Sequence, residues 1–180
     1  MTFTLPEDLA LQFVRRVPAR ERSRYLADAL SEKLTARDRL LIEACRTANG
    51  DPEVRAIEKS STQSPTKPPS PGRIPRRGEV WWVRLDLALR SEIRKTRPCL
   101  VLTTNIVNQY RRTVVVVPLS SSPASSPPLL VPLTCQGRPA VAIVDQIRAV
   151  TKERFLTRIE SISAQHLRSV EDALRNVLEL

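Results

Sequence analysis

A proline- and serine-rich segment near the middle of the chain predicts that the protein folds in two parts. Residues 60–75 read SSTQSPTKPPSPGRIP, with five prolines and no aromatic residue. Such a segment lacks the apolar side chains that a core needs, and its prolines favour an extended backbone of ~3.1 Å per residue. We interpret it as a linker that reaches up to ~50 Å between a module at residues 1–59 and a domain at residues 76–180.

The two parts differ in charge. Of the formal net charge of +10, residues 1–59 contribute +1, from eleven basic and ten acidic side chains, and residues 60–180 contribute +9, from eighteen and nine. Positive charge attracts polyanions, because neutralised phosphates release counterions. The excess therefore indicates a nucleic-acid partner for the second part, although charge kept for solubility explains it equally well.

Hydropathy and cysteine content favour a cytoplasmic protein. The longest aliphatic run, Val114–Val117, is far shorter than a membrane span, and no basic region followed by an apolar one stands at the N-terminus. We therefore expect no membrane partner. The cysteines, Cys45, Cys99 and Cys135, are widely spaced, which predicts reduced thiols. With a single histidine in the chain, we expect no metal site and no cofactor.

The first part has the pattern of a short strand followed by helices. Residues Thr2–Leu5 alternate polar and apolar, as in a half-buried strand, and Pro6 with two acids then starts a helix that ends near Arg16. Leucines and alanines at spacings of three and four predict a second helix from about Ala19 to Leu34. A third is predicted from Ala36 to about Ala48, where Asn-Gly follows.

The second part is predicted to be a small antiparallel β-barrel closed by a helix. Its short apolar segments are rich in β-branched residues and are separated by Pro, Ser, Asn and Gly. The predicted strands are Gly78–Leu85, Cys99–Thr103, Thr113–Leu119, Leu129–Leu133 and Ala140–Val144. Ser163 is a good N-cap for an amphipathic helix from about Ala164 to Leu178, which should cover the barrel. The fold class is therefore α+β.

In the first part, Leu5–Leu9 and Ser23–Leu30 resemble the ribbon-helix-helix, MazE-like antitoxins that bind DNA. In that family the strands of two chains pair and lie in the DNA major groove. The resemblance implies that Thr2 and Thr4 face the bases of an operator. A helical module that dimerises without binding DNA is the alternative interpretation.

Four motifs make the second part, from Ile74 to Leu180, similar to the MazF/PemK toxins. They are Arg77–Trp81, Ser91–Cys99, Val116–Ser121 and Asp145–Arg148. The resemblance implies an SH3-like barrel with appended helices, of the kind also found in CcdB. It further implies a homodimer that cleaves single-stranded RNA at short sequences and leaves a 2′,3′-cyclic phosphate and a 5′-hydroxyl.

The chemistry of such a cleavage limits the residues that can perform it. Attack by the ribose 2′-hydroxyl needs an acceptor for its proton, positive charge at the phosphate and a donor for the departing oxygen, but no metal. A pair of catalytic histidines is excluded, because the only histidine, His166, lies in the predicted terminal helix. The sequence also shows no acidic cluster spaced as in two-metal nucleases.

Arg97 is the strongest candidate for the catalytic charge. It precedes Pro98 at the start of an apolar strand, where a rigid backbone can aim its planar guanidinium at a phosphate. The resemblance places the family's catalytic arginine at this position. A pKa above ~12 makes arginine a poor proton acceptor, so charge stabilisation and proton donation are its expected roles. A surface arginine without a catalytic role is the alternative.

The resemblance also implies roles for residues around Arg97. Ser120 stands where the family often has threonine, and its hydroxyl is expected to donate to a phosphate oxygen. Glu92 is expected to orient Arg97 or to act as the base. The residues expected to contact RNA are Lys95, Ser91, Ser121 and Gln146.

Three functions are compatible with these features. The favoured one is a toxin-antitoxin fusion in which the second part cleaves RNA. Antitoxins of this kind continue into an acidic tail that covers the toxin, whereas here the linker begins after Lys59, so a separate antitoxin is expected as a partner. The alternatives are a non-catalytic DNA-binding regulator, suggested by Ser120 and by Leu87–Leu89 in a loop that usually holds proline and glycine, and a CcdB-type toxin directed at gyrase.

Overall fold

The structure is a computed structural model that describes residues 4–60, 74–85, 96–121 and 125–180. Backbone contacts divide the chain into two compact units, Met1–Leu41 and Ile42–Leu180. The second unit thus includes residues on both sides of the proline-rich segment. The domain boundaries drawn from the sequence at residues 59 and 76 remain predictions. Within the described ranges, no helix is both long enough and apolar enough to cross a bilayer.

Helices make up the first unit. Helix α1 spans Glu7–Arg16 and carries acidic side chains in its first turn and basic ones in its last, which complements the helix dipole. It ends at Val17, whose N–H donates to the carbonyl of Phe13 at 2.9 Å. After a 3₁₀ turn at Ala19–Glu21, helix α2 spans Arg22–Gly50.

A predicted helix break and a predicted strand are not found in this region of the structure. The second and third predicted helices are one continuous helix, so the predicted break near Thr35 is wrong. Thr35 is the only residue between them, and one β-branched residue lowers helix propensity by less than ~0.7 kcal/mol, whereas a stop requires glycine or proline. The predicted strand is not seen at Thr4 and Leu5, which form no regular element, while Thr2 lies outside the described residues.

The second unit is built on seven strands in its described residues. They are β1 Glu79–Arg84, β2 Thr96–Val101, β3 Thr113–Ser120, β4 Leu130–Cys135, β5 Arg138–Ile143, β6 Arg148–Thr151 and β7 Phe155–Ser161. The strands pair antiparallel in the order β4-β5-β3-β2-β1-β7, and β6 pairs with the first half of β3. Its helices are α3 Pro52–Ser60, α4 Asn105–Tyr110 and α5 Ala164–Leu178, together with the end of α2.

The expected SH3-like barrel is, in the structure, a curled half-barrel. The order of the described strands is an open path, with β4 at one end and β7 at the other. The sheet turns at β3, where one edge changes its partner from β6, at Val116↔Arg148, to β5, at Leu119↔Ala142. Pairing of β3 with two successive strands along one edge allows the sheet to curl around a core.

Both faces of the sheet carry a core. On one face, strand residues including Val80, Leu100 and Leu119 pack with Val170 and Ala173 of α5, which confirms that the terminal helix covers the sheet. On the other face a second cluster contains Trp81, Val83, Cys99, Val101, Val116 and Phe155. In β2, for example, the alternation of side chains sends Leu100 to the first core and Cys99 and Val101 to the second.

Candidate active site

Strands β2 and β3 place Arg97 and Ser120 at one end of their pairing. Their register pairs Cys99 with Pro118 and Val101 with Val116. The last pair at this end is Cys99↔Pro118, and Arg97 and Ser120 each lie two residues beyond it, Arg97 near the start of β2 and Ser120 at the end of β3. The fold thus places two residues that are far apart in sequence at the same end of neighbouring strands.

Arg97 is open to solvent. It lies at the second position of β2, paired with Val83 of β1, and its side chain is exposed. Among the described residues, no carboxylate forms an ion pair with its guanidinium. A guanidinium in this position can approach an anionic ligand without first leaving a partner.

A second arginine lies near the same part of the sheet. Burial raises the pKa of the Cys99 thiol to about 12, and the positive charges of Arg148 and Arg97 only partly oppose this effect. Cys99 is therefore a neutral thiol at pH 7, unsuited to be a nucleophile. Arg148 pairs with Val116 of β3, and Val116 in turn pairs with Val101 of β2, so this arginine lies in the same part of the sheet as Arg97. Arg148 is not among the site residues predicted from the sequence. Its signal was its position in the fourth motif, two residues after Gln146.

Gln146 and Arg148 line a groove beside β6. This cavity has a volume of about 440 Å³. It is also bordered by Arg154 and by Leu85, the residue that directly follows β1. Gln146 is exposed in a 3₁₀ turn, Val144–Gln146, and its backbone carbonyl accepts from Arg148 Nε at 3.5 Å. Its side-chain amide is thus available to a ligand in the groove.

Comparison with known proteins identifies the domain. The family model described as PemK-like, MazF-like toxin of type II toxin-antitoxin system matches residues 76–178. The chain belongs to this family. The match begins just before β1 and ends within the last turn of α5, so we call residues 76–178 the toxin domain.

Individual relatives support the same assignment. The Mycobacterium tuberculosis protein named endoribonuclease MazF9 is 35% identical over an alignment of 114 positions, which covers 58% of this chain and 97% of that protein. The crystal structure of MazF from Deinococcus radiodurans superposes with a TM-score of 0.51 and 23% identity, covering 61% of this chain and all of that one. A mycobacterial endoribonuclease in complex with its cognate antitoxin superposes with a TM-score of 0.50 and 21% identity, covering 59% and 96%.

Of the other predicted site residues, some lie in the described part of the chain and some do not. In the toxin domain Ser120 is half-buried and pairs with Val141 of β5, and Ser121 is exposed. Outside the domain, Thr4 is exposed. Several candidates lie outside the described residues and stay predictions, namely Ser91, Glu92, Lys95 and Thr2.

His166 belongs to the opposite side of the toxin domain. It lies in the first turn of α5, where its backbone N–H donates to Ser163 Oγ at 3.2 Å. Helix α5 packs on the face that holds Leu100 and Leu119, whereas Arg97 shares the face of Cys99. The sheet therefore separates His166 from the arginine.

A buried carboxylate supports the start of β1. Glu79 is 3% exposed, and its carboxylate accepts from the Arg76 backbone and Trp81 Nε1, both at 2.9 Å, and from Arg158 Nε at 2.8 Å. Burial raises its pKa, but the hydrogen bonds and the Arg158 charge outweigh burial, so the pKa is lowered. This network joins β1 to β7 and has a structural role.

Proposed function

We propose that this chain is an endoribonuclease that cleaves single-stranded RNA at specific sequences, with Arg97 as its central catalytic residue. The observation that carries the proposal is the exposed Arg97, near the start of a strand that pairs with the strand of Ser120, in a domain of the toxin family. The name endoribonuclease borne by the 35% identical relative supports the same activity.

The proposed reaction is a transesterification. The ribose 2′-oxygen attacks the adjacent phosphorus and gives its proton to a base, while the bond from phosphorus to the 5′-oxygen breaks and that oxygen takes up a proton. The products are a 2′,3′-cyclic phosphate and a 5′-hydroxyl. Because the RNA supplies the nucleophile, no metal-bound hydroxide is required, and we propose that the reaction is metal-independent.

Each candidate residue has a role in this reaction. Arg97 stabilises the negative charge that develops on the phosphoryl oxygens, and Arg148 contributes to this stabilisation. Arg97 can also protonate the departing oxygen. Ser120 donates a hydrogen bond to a phosphate oxygen. Glu92, which is acidic and precedes Arg97 in the same motif, acts as the base or orients the arginine.

The RNA is held by the groove beside β6 and by the loops around it. Gln146 offers two donors and an acceptor to a base edge, the means by which unstacked bases are read. Arg148 and Arg154 supply positive charge to the same groove. Three further residues, Lys95, Ser91 and Ser121, are proposed to contact the phosphates on either side of the scissile bond.

We further propose a homodimer with two kinds of partner. The mycobacterial structure named as a complex with its cognate antitoxin supports a separate antitoxin that neutralises the toxin domain. The first unit is proposed to be a DNA-binding ribbon-helix-helix module whose Thr2 and Thr4 contact an operator. Exposed leucines in α1 and α2 support its dimerisation: Leu9, Leu26, Leu30 and Leu34.

The test compares three forms of the full chain on single-stranded RNA in EDTA. Arg97→Ala should lower the cleavage rate by about 10²–10³-fold, the usual loss when one stabilising donor is removed. Arg168→Ala, which removes an exposed arginine of α5, is the matched control and should cleave like the wild type. End mapping should find cyclic phosphates. The proposal would be wrong if the wild type and Arg97→Ala cleaved RNA equally, or if the wild type did not cleave it. Inhibition of a topoisomerase without RNA cleavage would favour the gyrase-directed alternative.

A further inference from the structure

The compact second unit contains a helical segment that precedes the family domain. Residues 42–60, which comprise the end of α2 and the whole of α3, lie before the family match at residue 76, yet they group with it in one unit. Asp51 separates the two helices and caps α3, because its Oδ1 accepts from the N–H groups of Glu53 at 2.7 Å and Val54 at 3.1 Å. The segment thus has a defined bend.

Asn49 attaches this segment to the loop between α4 and β3. Its Nδ2 donates to the carbonyl of Tyr110 at 2.7 Å, and its Oδ1 accepts from Arg111 Nη1 at 2.7 Å. Its backbone carbonyl accepts from Arg112 Nη2 at 3.2 Å and from Arg55 Nε of α3 at 2.9 Å. One side chain therefore satisfies both a donor and an acceptor of the toxin domain.

Glu58, in the last turn of α3, provides a second attachment. Arg111 Nη2 donates to its Oε1 at 2.7 Å, and Arg112 Nη1 lies 3.7 Å from its Oε2. The side chains of Glu58 and Arg111 are only 10% and 16% exposed. Buried ion pairs lose far more on breaking than exposed ones, since the remaining charge stays desolvated.

This attachment lies at the far end of β3 from the candidate site. Arg111 and Arg112 precede Thr113, the first residue of β3, whereas Ser120 is the last. Seven steps of an extended strand span about 23 Å at ~3.3 Å each. The contacts of residues 42–60 named above thus lie at the opposite end of β3 from Ser120.

We propose that residues 42–60 are a docking segment, which binds the toxin domain at Arg111 and Arg112 and leaves Arg97 and Ser120, at the other end of β3, uncovered. The docking itself is independent of the proposed nuclease activity. Only the statement that the segment leaves the candidate site uncovered rests on the proposed function.

The experiment measures amide hydrogen exchange in the full chain. Glu58→Ala should speed exchange in residues 52–60 by about tenfold or more, because it removes a charged hydrogen bond. Glu53→Ala, on the exposed face of the same helix, is the matched control and should leave exchange there unchanged. Equal exchange in the wild type and Glu58→Ala, or an absence of protection in the wild type, would overturn the docking.

Two readouts decide whether the docked segment leaves the site open. In Glu58→Ala, exchange at residues 96–99 and 119–121 should stay as in the wild type, and RNA cleavage should change by less than about twofold. A rise in exchange there, or a many-fold rise in cleavage, would show that the segment covers or restrains the site. If the wild type does not cleave RNA, the proposed function fails, while both exchange results still decide the docking.

Discussion

At position 120 the hydroxyl is carried by a serine, which lacks the methyl group of a threonine. Two heavy atoms on Cβ restrict χ1, so threonine holds its hydroxyl in fewer rotamers. We expect Ser120→Thr to raise RNA cleavage by a few-fold and Ser120→Ala to lower it by about tenfold, the effect of one hydrogen bond to a charged group. Single-turnover rates measure both changes. A larger loss in Ser121→Ala than in Ser120→Ala would assign the role to the neighbouring serine.

Glu79 makes the stability of the toxin domain depend on pH. Its pKa is lowered in the folded protein, so the ionised carboxylate stabilises the fold above its ordinary value of 4.5. This contribution is lost as the pH falls below about 4.5 and through the folded pKa. Urea unfolding at a series of pH values should show the wild type losing stability over this range.

Replacing Glu79 tests the same network at neutral pH. In Glu79→Gln the charge that faces Arg158 disappears, and a buried acceptor of three hydrogen bonds is weakened. We expect a loss of about 1–3 kcal/mol in the free energy of unfolding, with little further loss on acidification. Glu153→Gln, at an exposed position, is the control. A Glu79→Gln protein with the wild-type pH dependence would contradict this account.

The helices and strands that were predicted best are those whose own sequence carries both a periodic apolar pattern and a residue that starts or ends the element. Helix α5 begins and ends as predicted, because Ser163 caps it and its apolar stripe matches the helical period. Strands β1 to β5 were predicted within a few residues, since they are apolar and bounded by breakers.

Other elements depend on partners that the sequence does not reveal. Strand β7 contains apolar, polar and charged residues without a clear alternation. Its Arg158 forms an ion pair with Glu79 only because β7 pairs with β1. The short α4 and β6 have too few residues for a periodic pattern, and they depend on β2, β3 and their connection. Tertiary pairing decides such segments, not local propensity.

The cap of α5 offers a test at the level of one element. Ser163 Oγ accepts the backbone N–H of His166, and the helix covers one core of the sheet through Val170 and Ala173. We expect Ser163→Ala to cost about 1 kcal/mol in the free energy of unfolding, and Ser163→Asp to retain most of it, because aspartate caps equally well. Thermal unfolding of the three proteins measures this. Equal losses in both variants would mean that the side chain matters for another reason.

At the scale of the whole molecule, the site is assembled from segments far apart in sequence. The resemblance of four motifs singles out Arg97 and Ser120, but only the β2–β3 register shows that they lie at the same end of neighbouring strands. Register depends on long-range pairing, and a shift of one residue would send either side chain to the other face. The docking of residues 42–60 was likewise hidden, because Glu58 and Arg111 are separated by the linker.

Charge also acts at the scale of the whole molecule, and it makes the proposed RNA binding sensitive to salt. Residues 60–180 carry a net +9, and each phosphate contacted by single-stranded RNA adds about −0.7 to the slope of log K against log salt. We expect the affinity of the full chain for RNA blocked by 2′-O-methyl groups to fall steeply between low and physiological salt.

Loss of a single phosphate contact should be visible in that slope. Arg148→Ala removes a cation from the groove beside β6, so the slope should become less negative by about 0.7, and the affinity at low salt should fall. Arg168→Ala leaves the groove intact and should keep the wild-type slope, although it removes the same charge from the chain. Equal changes in both variants would mean that net charge, and not the groove, holds the RNA, and the role given to Arg148 would then be wrong.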